Sequence, residues 1–160
     1  MNFYKMRPEV YFLKYAYPCS WVIQMRGEIL EEDLKRLEDA AVYSKVLPRE
    51  YLERIYFRAF ARIKKIAAEM GKNEYWDNAV IEEYFRRRHN AFVDASEHPE
   101  SLKKLCRVHE AEVLMVEGNK LVVRYKHEGE RQRKVRKDFV PDAKAGEKVT
   151  IHYHYAIERV

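Results

Sequence analysis

The sequence has few of the residues that build cross-links and phosphate-binding loops. It contains two cysteines, Cys19 and Cys106, and five glycines among 160 residues. Two cysteines are too few for a disulfide scaffold, and without a secretory context they indicate a reducing, cytoplasmic location. We find no glycine-rich phosphate loop, dinucleotide fingerprint, nucleophile elbow or His-Glu-x-x-His helix. The expectation is therefore a non-catalytic protein.

A long hydrophobic run is also missing. The most apolar stretch, residues 10–25, follows Lys5 and Arg7, but Lys14 and Pro18 interrupt it. It is shorter than the roughly 20 apolar residues that a membrane helix needs, and no small-residue cleavage pattern follows it. We expect a buried element here and no membrane partner.

Neither sign of charge dominates strongly. The formal net charge is +5, and the charged residues are interspersed along the chain. Such a small excess is compatible with an acidic partner or nucleic acid but indicates neither. Hydrophobic residues make up 47% and charged residues 36% of the chain, which is typical of a soluble globular protein.

The apolar pattern changes near residue 100, which predicts two domains. Before this point apolar residues recur with a helical period, and after it they alternate as in strands. We place the change in the segment His98-Pro99-Glu100-Ser101. The predicted organisation is an α-helical domain over residues 1–102 and a small β-barrel domain over residues 103–160, which together make an α+β protein.

About four helices are predicted in the first domain. Pro18 interrupts the first helix, Pro48 begins the third and Gly71 ends it, because proline starts or breaks helices and glycine ends them. Short connections favour antiparallel neighbours, so we expect a helical bundle. The predicted helices are residues 8–17 with a continuation at 20–25, residues 30–43, residues 48–70 and residues 75–94.

Four or five short antiparallel strands are predicted in the second domain. Gly118-Asn119 and Glu128-Gly129 are typical of hairpin turns. Strands without intervening helices favour a closed, OB-like barrel, which leaves no exposed sheet edge. In the last strand, alternation would place His152 and His154 together on one face, opposite Tyr153. The predicted strands are residues 106–115, 120–126, 131–137 and 148–157.

The end of the chain resembles the HypC/HupF proteins, small chaperones that help to assemble the iron centre of nickel-iron hydrogenases. Leu105 and Cys106 stand where that family begins, and residues 113–119 supply its first hairpin. The residues that match the end of the family's barrel are Phe139, Val140, Pro141, Asp142, Gly146, Glu147, Val149, His152, Tyr155, Ala156 and Ile157.

The resemblance implies an OB-like barrel with an accessory role in metalloenzyme maturation, in the company of a protein partner. It also implies that Cys106 and His152 are the functional residues and that Cys106 helps to hold iron transiently. The family's cysteine follows the initiator methionine, whereas Cys106 is internal, so chemistry that needs a free amino group is excluded. His154 stands where the family has glycine, and Glu110-Ala111 where it has Pro-Gly.

Cys106 and His152 also point to a metal on chemical grounds, since thiolate and imidazole are good ligands for iron or zinc. His154 or His109 would raise the number of ligands. The alternative interpretation is that the histidines are solvated polar residues and that Cys106 is a small hydrophobic residue of the core.

A basic run in the third predicted strand suggests a different function. With Tyr125, Tyr153 and Tyr155 nearby, the barrel would resemble the charged, aromatic surfaces that bind single-stranded RNA or DNA. The alternative is a solvated strand whose charge is balanced by neighbouring acids. The candidate nucleic-acid-binding residues are Arg131, Arg133, Lys134, Arg136 and Lys137.

A second basic cluster lies at residues 86–88, where three arginines follow one another. Glu82 and Glu83, one helical turn back, are expected to pair with them, which favours a structural role. A third interpretation of the whole chain is a structural protein whose helical half forms a homodimer through its aromatic residues.

Overall fold

The computed structural model describes residues 6–160, so the first five residues of the predicted helical domain lie outside the described part. Contacts divide the chain into two compact units, Met1–Arg88 and His89–Val160. The chain combines helices with a closed five-stranded β-barrel, as the sequence predicts. Within residues 6–160, no helix has both the length and the apolar character required to cross a membrane.

The division of contacts falls earlier than the boundary predicted after residue 102. Two interactions connect the segment after His89 to the residues that lead into the barrel. The Asn90 amide donates to the Val108 carbonyl oxygen (2.8 Å) and accepts from the Val108 N–H (2.7 Å). Arg107 Nε donates to Asp94 Oδ1 at 2.8 Å. These bonds explain why the segment before residue 102 clusters with the barrel.

The first unit has more helices than expected: six lie within residues 6–88. The predicted helix 48–70 divides in two because Tyr56 leaves the helical conformation, with φ −101° and ψ 40°. A π-helical turn, Tyr84–Arg88, ends the unit. The six helices are α1 (Pro8–Ala16), α2 (Ser20–Met25), α3 (Glu31–Val42), α4 (Arg49–Ile55), α5 (Phe57–Glu69) and α6 (Asn78–Glu83).

Side-chain caps fix the starts of two of these helices. Before α3, the Leu30 N–H donates to Asp33 Oδ2 at 3.1 Å. Before α6, Asp77 Oδ1 accepts from the N–H groups of Ala79 (2.8 Å) and Val80 (3.3 Å). Both carboxylates also lie at the positive end of a helix dipole, so these caps stabilise the helices electrostatically as well.

Phe12 of α1 lies at the centre of an aromatic cluster in the first unit. Its ring centroid is 4.6 Å from that of Phe60, 5.3 Å from Tyr56, 5.8 Å from Trp76 and 5.7 Å from Phe85. All five side chains are buried. Aromatic pairs of this kind contribute about 0.5–1.5 kcal/mol each beyond their buried area. The cluster therefore contributes to the packing stability of this unit.

The second unit begins with two short helices, α7 (His89–Ala95) and α8 (Glu100–Cys106). The prediction that Cys106 opens a strand was wrong, because Cys106 ends α8 and the first strand starts at His109. Pro99 precedes α8 in an extended conformation, and Lys103 and Lys104 lie in its last turn. Cations near the C-terminus of a helix interact favourably with the helix dipole. The two lysines therefore stabilise a helix at a position where the apolar pattern predicted a strand.

The barrel consists of five strands in the closed order β1-β2-β3-β5-β4. Neighbours pair antiparallel except β3 and β5, which are parallel at Arg136 and Tyr155, so the expectation of a wholly antiparallel barrel was wrong at this one pair. The predicted hairpin turns at Gly118-Asn119 and Glu128-Gly129 lie between consecutive strands. The strands are β1 (His109–Glu117), β2 (Lys120–Lys126), β3 (Glu130–Arg136), β4 (Lys148–His152) and β5 (Tyr155–Arg159).

The predicted last strand is two strands, β4 and β5, joined by a turn at Tyr153 and His154. Tyr153 has a positive φ of 55°, which reverses the chain. This reversal lets β5 reach β3 and close the barrel, and the Arg136 N–H donates to the His154 carbonyl oxygen at 2.7 Å. The predicted shared face of His152 and His154 is wrong as a result: His152 is fully buried and His154 is exposed.

Small and β-branched side chains fill the interior of the barrel. They come from the alternate positions of the strands and from the loop between β3 and β4. This composition suits a narrow barrel, in which large side chains do not fit. The core residues are Ala111, Val113, Leu121, Val123, Val135, Val140, Ala143, Val149, Ile151 and Ala156.

Candidate functional site

One end of the barrel carries a group of rings and guanidinium groups that we call the barrel mouth, defined as His109, Tyr125, His127, Arg131 and Arg133. The start of β1, the end of β2 and the start of β3 meet at this end, because consecutive strands are antiparallel. Tyr125 faces Arg131 across the β2–β3 ladder. The mouth residues thus continue the inward-facing positions of the strands beyond the apolar core.

His109 and Tyr125 form a stacked pair in the barrel mouth. Their ring centroids are 4.9 Å apart with an interplanar angle of 26°, and both side chains are half-buried. The His127 ring lies 5.4 Å from that of His109. The β2–β3 turn holds His127 in place, since its N–H donates to the Gly129 carbonyl oxygen at 2.9 Å. Each ring covers one face of the other, and both rings remain partly open to solvent.

Two recesses open beside the stacked pair, and both are lined by His109 and Tyr125. The first has a volume of about 450 Å³ and the second about 590 Å³. His127 is the only other ring along either recess in the described residues. The cations that line the recesses are Lys104, Arg107 and Arg131 in the first, and Arg124, Lys126 and Lys148 in the second.

Most of these cations have no carboxylate partner. Arg107 pairs with Glu100 (2.8 Å) and Asp94, and Arg124 pairs with Glu112 (2.8 Å). Within residues 6–160, the remaining four make no ion pair, and the Arg131 side chain donates only to backbone carbonyl oxygens of the β2–β3 turn. These four are Lys104, Lys126, Arg131 and Lys148. Among the described residues, four cations that are not held in ion pairs therefore line the recesses beside the rings.

Arg133 contributes a further charge from inside the mouth. Its guanidinium lies 5.2 Å from the centroid of the Tyr125 ring, and Nη1 donates to the Lys104 carbonyl oxygen at 3.1 Å. It forms no ion pair with any described residue, and burial lowers the pKa of its guanidinium. A cation over an aromatic face stabilises the ring's position electrostatically. Arg133 thus holds Tyr125 in the orientation that stacks on His109.

Burial and nearby charges favour the neutral form of two histidines of this region, His109 and His154. Burial, followed by the charges of Arg133 and His127, lowers the pKa of His109 from 6.5 to about 4. Burial and the Arg133 charge also lower the pKa of His154. A neutral imidazole keeps one nitrogen as donor and one as acceptor, so His109 is able to offer both a stacking face and a hydrogen bond.

Among the described residues, the predicted metal ligands Cys106, His152 and His154 do not form one set. Cys106 is buried at the end of α8, His152 is buried at the end of β4, and His154 is exposed in the following turn. Within residues 6–160, these three do not lie within ligating distance of one another as a group. The segments of Cys106 and His152 do adjoin, since the Tyr153 N–H donates to the Leu105 carbonyl oxygen at 2.7 Å.

His89 is a histidine that the sequence did not suggest as a ligand. Its ring lies edge-on to that of His152, with centroids 5.0 Å apart and an interplanar angle of 77°. Both side chains are buried, at 8% and 0% exposure. Two imidazoles at this separation are suited to hold one metal ion only together with further ligands, because protein sites for iron or zinc use three or four.

The predicted nucleic-acid-binding residues divide between two places. Arg131 and Arg133 belong to the mouth. Lys134 pairs with Glu117 at 2.9 Å and Arg136 makes two bonds to Asp138 at 3.0 and 2.8 Å, on the outer face of the barrel. Lys137 follows the last residue of β3. The basic run is therefore not one continuous surface, although the four candidate residues within β3 keep the alternation expected of a strand.

The second basic cluster forms the intrahelical pairs that the sequence predicts. Arg86 bonds Glu82 at 3.0 Å, Arg87 bonds Glu83 at 2.9 Å, and Arg88 bonds Glu69 at 3.0 Å as well as Glu83. These arginines are neutralised within the first unit, which supports a structural role.

Sequence reasoning missed His127, Lys104 and Lys126 as members of the candidate site. The sequence offers only weak indications of these residues. His127 directly precedes the Glu128-Gly129 turn, and Tyr125, two residues before His127, lies on the same inward side of the strand as Val123. No protein-family model and no curated protein sequence matches this chain. The function is therefore argued from the geometry of the barrel.

Proposed function

We propose that the barrel is a non-catalytic module that binds single-stranded nucleic acid at its mouth. The observation that carries this proposal is the stacked His109–Tyr125 pair, which stands beside two recesses and four unpaired cations. The closed strand order also fits an OB-type barrel, an architecture that binds oligonucleotides across strands β2 and β3 and the adjoining loops. Tyr125 and Arg131 lie on those strands.

The binding mode follows from the chemistry of these groups. A base stacks on the Tyr125 and His109 rings, an interaction worth about 1–3 kcal/mol per base and tolerant of sequence. Arg131 and Lys104 line the same recess and attract the phosphates. Binding should therefore weaken as salt rises, because each phosphate contact releases a condensed counterion.

The test is fluorescence anisotropy of an internally labelled oligodeoxyadenylate with the full chain. Replacing Tyr125 with Leu should weaken binding about 5- to 100-fold, since it removes the stacking face, and Arg131→Gln should weaken it and reduce the salt dependence. Matched controls in the first unit are Tyr43→Leu and Arg26→Gln, both exposed. Circular dichroism and thermal melting verify that each variant is folded.

Two results would overturn the proposal. One is no binding by the parent protein at about 50 mM salt, where electrostatic association is strong. The other is binding that Tyr125→Leu and Tyr43→Leu leave equally unchanged, because the stacked pair would then have no part in it.

A second candidate is the accessory role in metalloenzyme maturation, with a HypC-like barrel handing iron to a protein partner. The observation in its favour is the Leu105–Tyr153 hydrogen bond, which sets the segments of Cys106 and His152 side by side, together with the His89 ring against His152. Burial of Cys106 and His152 opposes it, since transfer of a metal requires both side chains to become accessible.

Anaerobic titration with Fe²⁺ or Zn²⁺ tests this second role. The parent should bind one ion, whereas Cys106→Ala and His152→Ala should each weaken binding about 10-fold or more, because loss of one ligand of a small set is costly. His98→Ala, outside the cluster, is the control. Equal binding by the parent and both variants, all verified as folded, would exclude metal handling at these residues.

A further inference from the structure

Carboxylates stand along both recesses beyond the stacked pair. Glu100 and Glu128 line the first recess, and Glu110, Glu112 and Glu130 line the second. Glu100 and Glu112 are held by arginines, whereas Glu128 and Glu130 are exposed and form no ion pair with a described residue. Both recesses are therefore lined by negative as well as positive charge.

The stacking surface itself is short. His109, Tyr125 and His127 are the only rings among the described residues that line the recesses. Tyr155, another aromatic residue of the barrel, is buried and stacks on Phe139 at 4.8 Å. Proteins that hold long single strands offer successive aromatic side chains, one for each stacked base. A single pair of stacked rings offers a place for one base.

The size of the recesses agrees with a short ligand. Their volumes of about 450 and 590 Å³ lie within the roughly 300–1,000 Å³ typical of small-molecule sites. The four cations that form no ion pair with a described residue line the recesses together with five carboxylates, so positive charge does not form a continuous track. The single stacked pair and the mixed charge of the recesses favour a ligand of about one nucleotide, and the volumes suit a ligand of small-molecule size.

We propose that the barrel mouth recognises a single terminal nucleotide, with the base stacked on His109 and Tyr125 and a terminal phosphate beside Arg131 and Lys104. This inference rests on the proposed function and narrows its ligand to a strand end or a free mononucleotide, which share this chemistry. The carboxylates beyond the pair disfavour a phosphodiester backbone that runs through the mouth.

Competition with deoxyadenylates of increasing length tests the inference, with the labelled oligonucleotide as the reporter. The probes are the 5′-monophosphate, the dinucleotide, the tetranucleotide, the decanucleotide and a small circular single-stranded DNA. The dinucleotide and the decanucleotide should differ less than about threefold in affinity, because added phosphates gain no contact. The circular strand, which has no end, should bind at least about 10-fold more weakly than the linear decanucleotide.

The results distinguish a free nucleotide from a strand end as the ligand. They also distinguish failure of the single-nucleotide site from failure of the proposed function. If the mononucleotide competes as well as the dinucleotide, the ligand class includes free nucleotides; if it does not, the site requires a strand end. An affinity that rises steadily up to the decanucleotide, or equal binding of the circle, would overturn the single-nucleotide site while the proposed function stands. Failure of every probe to bind would overturn both.

A carboxylate variant gives an independent test. Glu128→Gln combined with Glu130→Gln removes negative charge next to the mouth and keeps the side-chain shape. We expect this protein to bind the decanucleotide about threefold or more tightly than the parent, through added phosphate contacts, and to gain less affinity for the mononucleotide, which has one phosphate. Glu97→Gln, an exposed change outside both recesses, is the control. An unchanged decanucleotide affinity would show that these carboxylates do not limit the ligand.

Discussion

The aromatic residues of the first unit and those of the barrel mouth have similar chemistry but different surroundings. Around Phe12 the rings are buried and surrounded by other rings, and nearby charges are paired, as Glu9 is with Arg7 and Arg49. At the mouth, His109 and Tyr125 are half-buried, and four cations that line its recesses have no carboxylate partner among residues 6–160. The first arrangement is complete within the protein, whereas the second leaves a face and charges for a ligand.

The largest effect should come from the buried cluster. Phe12→Ala removes a ring that touches four others, and core changes of this type cost about 3–5 kcal/mol. Tyr125→Leu keeps most of the apolar contact of a half-buried residue, so its cost should be below about 1.5 kcal/mol. Urea denaturation followed by circular dichroism measures both free energies of unfolding. A larger loss for Tyr125→Leu would contradict the distinction between a structural cluster and a binding surface.

A smaller effect is expected at the cap of α6. Asp77→Ala removes the acceptor for two backbone N–H groups at the start of the helix, which typically costs about 1 kcal/mol. The conservative variant Asp77→Asn should retain most of this stability, since Asn caps nearly as well. Urea denaturation checks the order of the three proteins. Equal stability of the alanine variant and the parent would mean that the cap adds nothing to this unit.

His109 should make the barrel sensitive to acid. Its pKa is about 4 in the folded protein and 6.5 in the unfolded chain, so the unfolded state binds more protons between these values. The contribution of His109 is therefore fully present above pH 6.5 and is lost as pH falls towards 4. Urea midpoints at several pH values should fall less steeply for His109→Asn than for the parent. The same slope for both proteins would place the acid sensitivity elsewhere.

The smallest expected effects are changes in nucleotide affinity on replacing single lysines, one held in an ion pair and one without an ion pair among the described residues. Lys134 bonds Glu117 on the outer face, so Lys134→Met should leave nucleotide affinity unchanged within error. Lys126 lines the second recess without an ion pair, and Lys126→Met should weaken binding about two- to threefold through the lost phosphate attraction. Anisotropy titrations at one salt concentration compare the two variants. An equal loss for both would indicate general electrostatic attraction instead of a local site.

Local signals were sufficient for the hairpins of the barrel. Gly118 and Gly129 both adopt positive φ, and β2 has the predicted limits, Lys120–Lys126. In the first unit, α3 lies within one residue of the predicted helix at each end. These elements are determined by residues that are close in sequence, through the type of turn, the helix cap and a single apolar period.

The breaks inside continuous patterns could not be predicted in the same way. The apolar period continues through Tyr56, and the strand alternation continues through Tyr153. The chain nevertheless leaves the helical conformation at Tyr56 and reverses at Tyr153. Each turn is imposed by packing with elements far away in sequence. The sequence singled out Arg131, Arg133, Tyr125 and His109 but not their meeting at one end of the barrel. Stacking of His109 on Tyr125 depends on the register of β1, β2 and β4 in a closed barrel.

The barrel closes through a narrow seam. Between β3 and β5 only Arg136 and Tyr155 are paired, supported by the Arg136 N–H bond to His154. If this seam opened, β3 and β5 would each expose a row of unpaired backbone groups, which is the template on which strands of different chains pair. The turn at Tyr153 therefore protects the protein from self-association as well as shaping the fold, and loss of this closure would be detected first as aggregation.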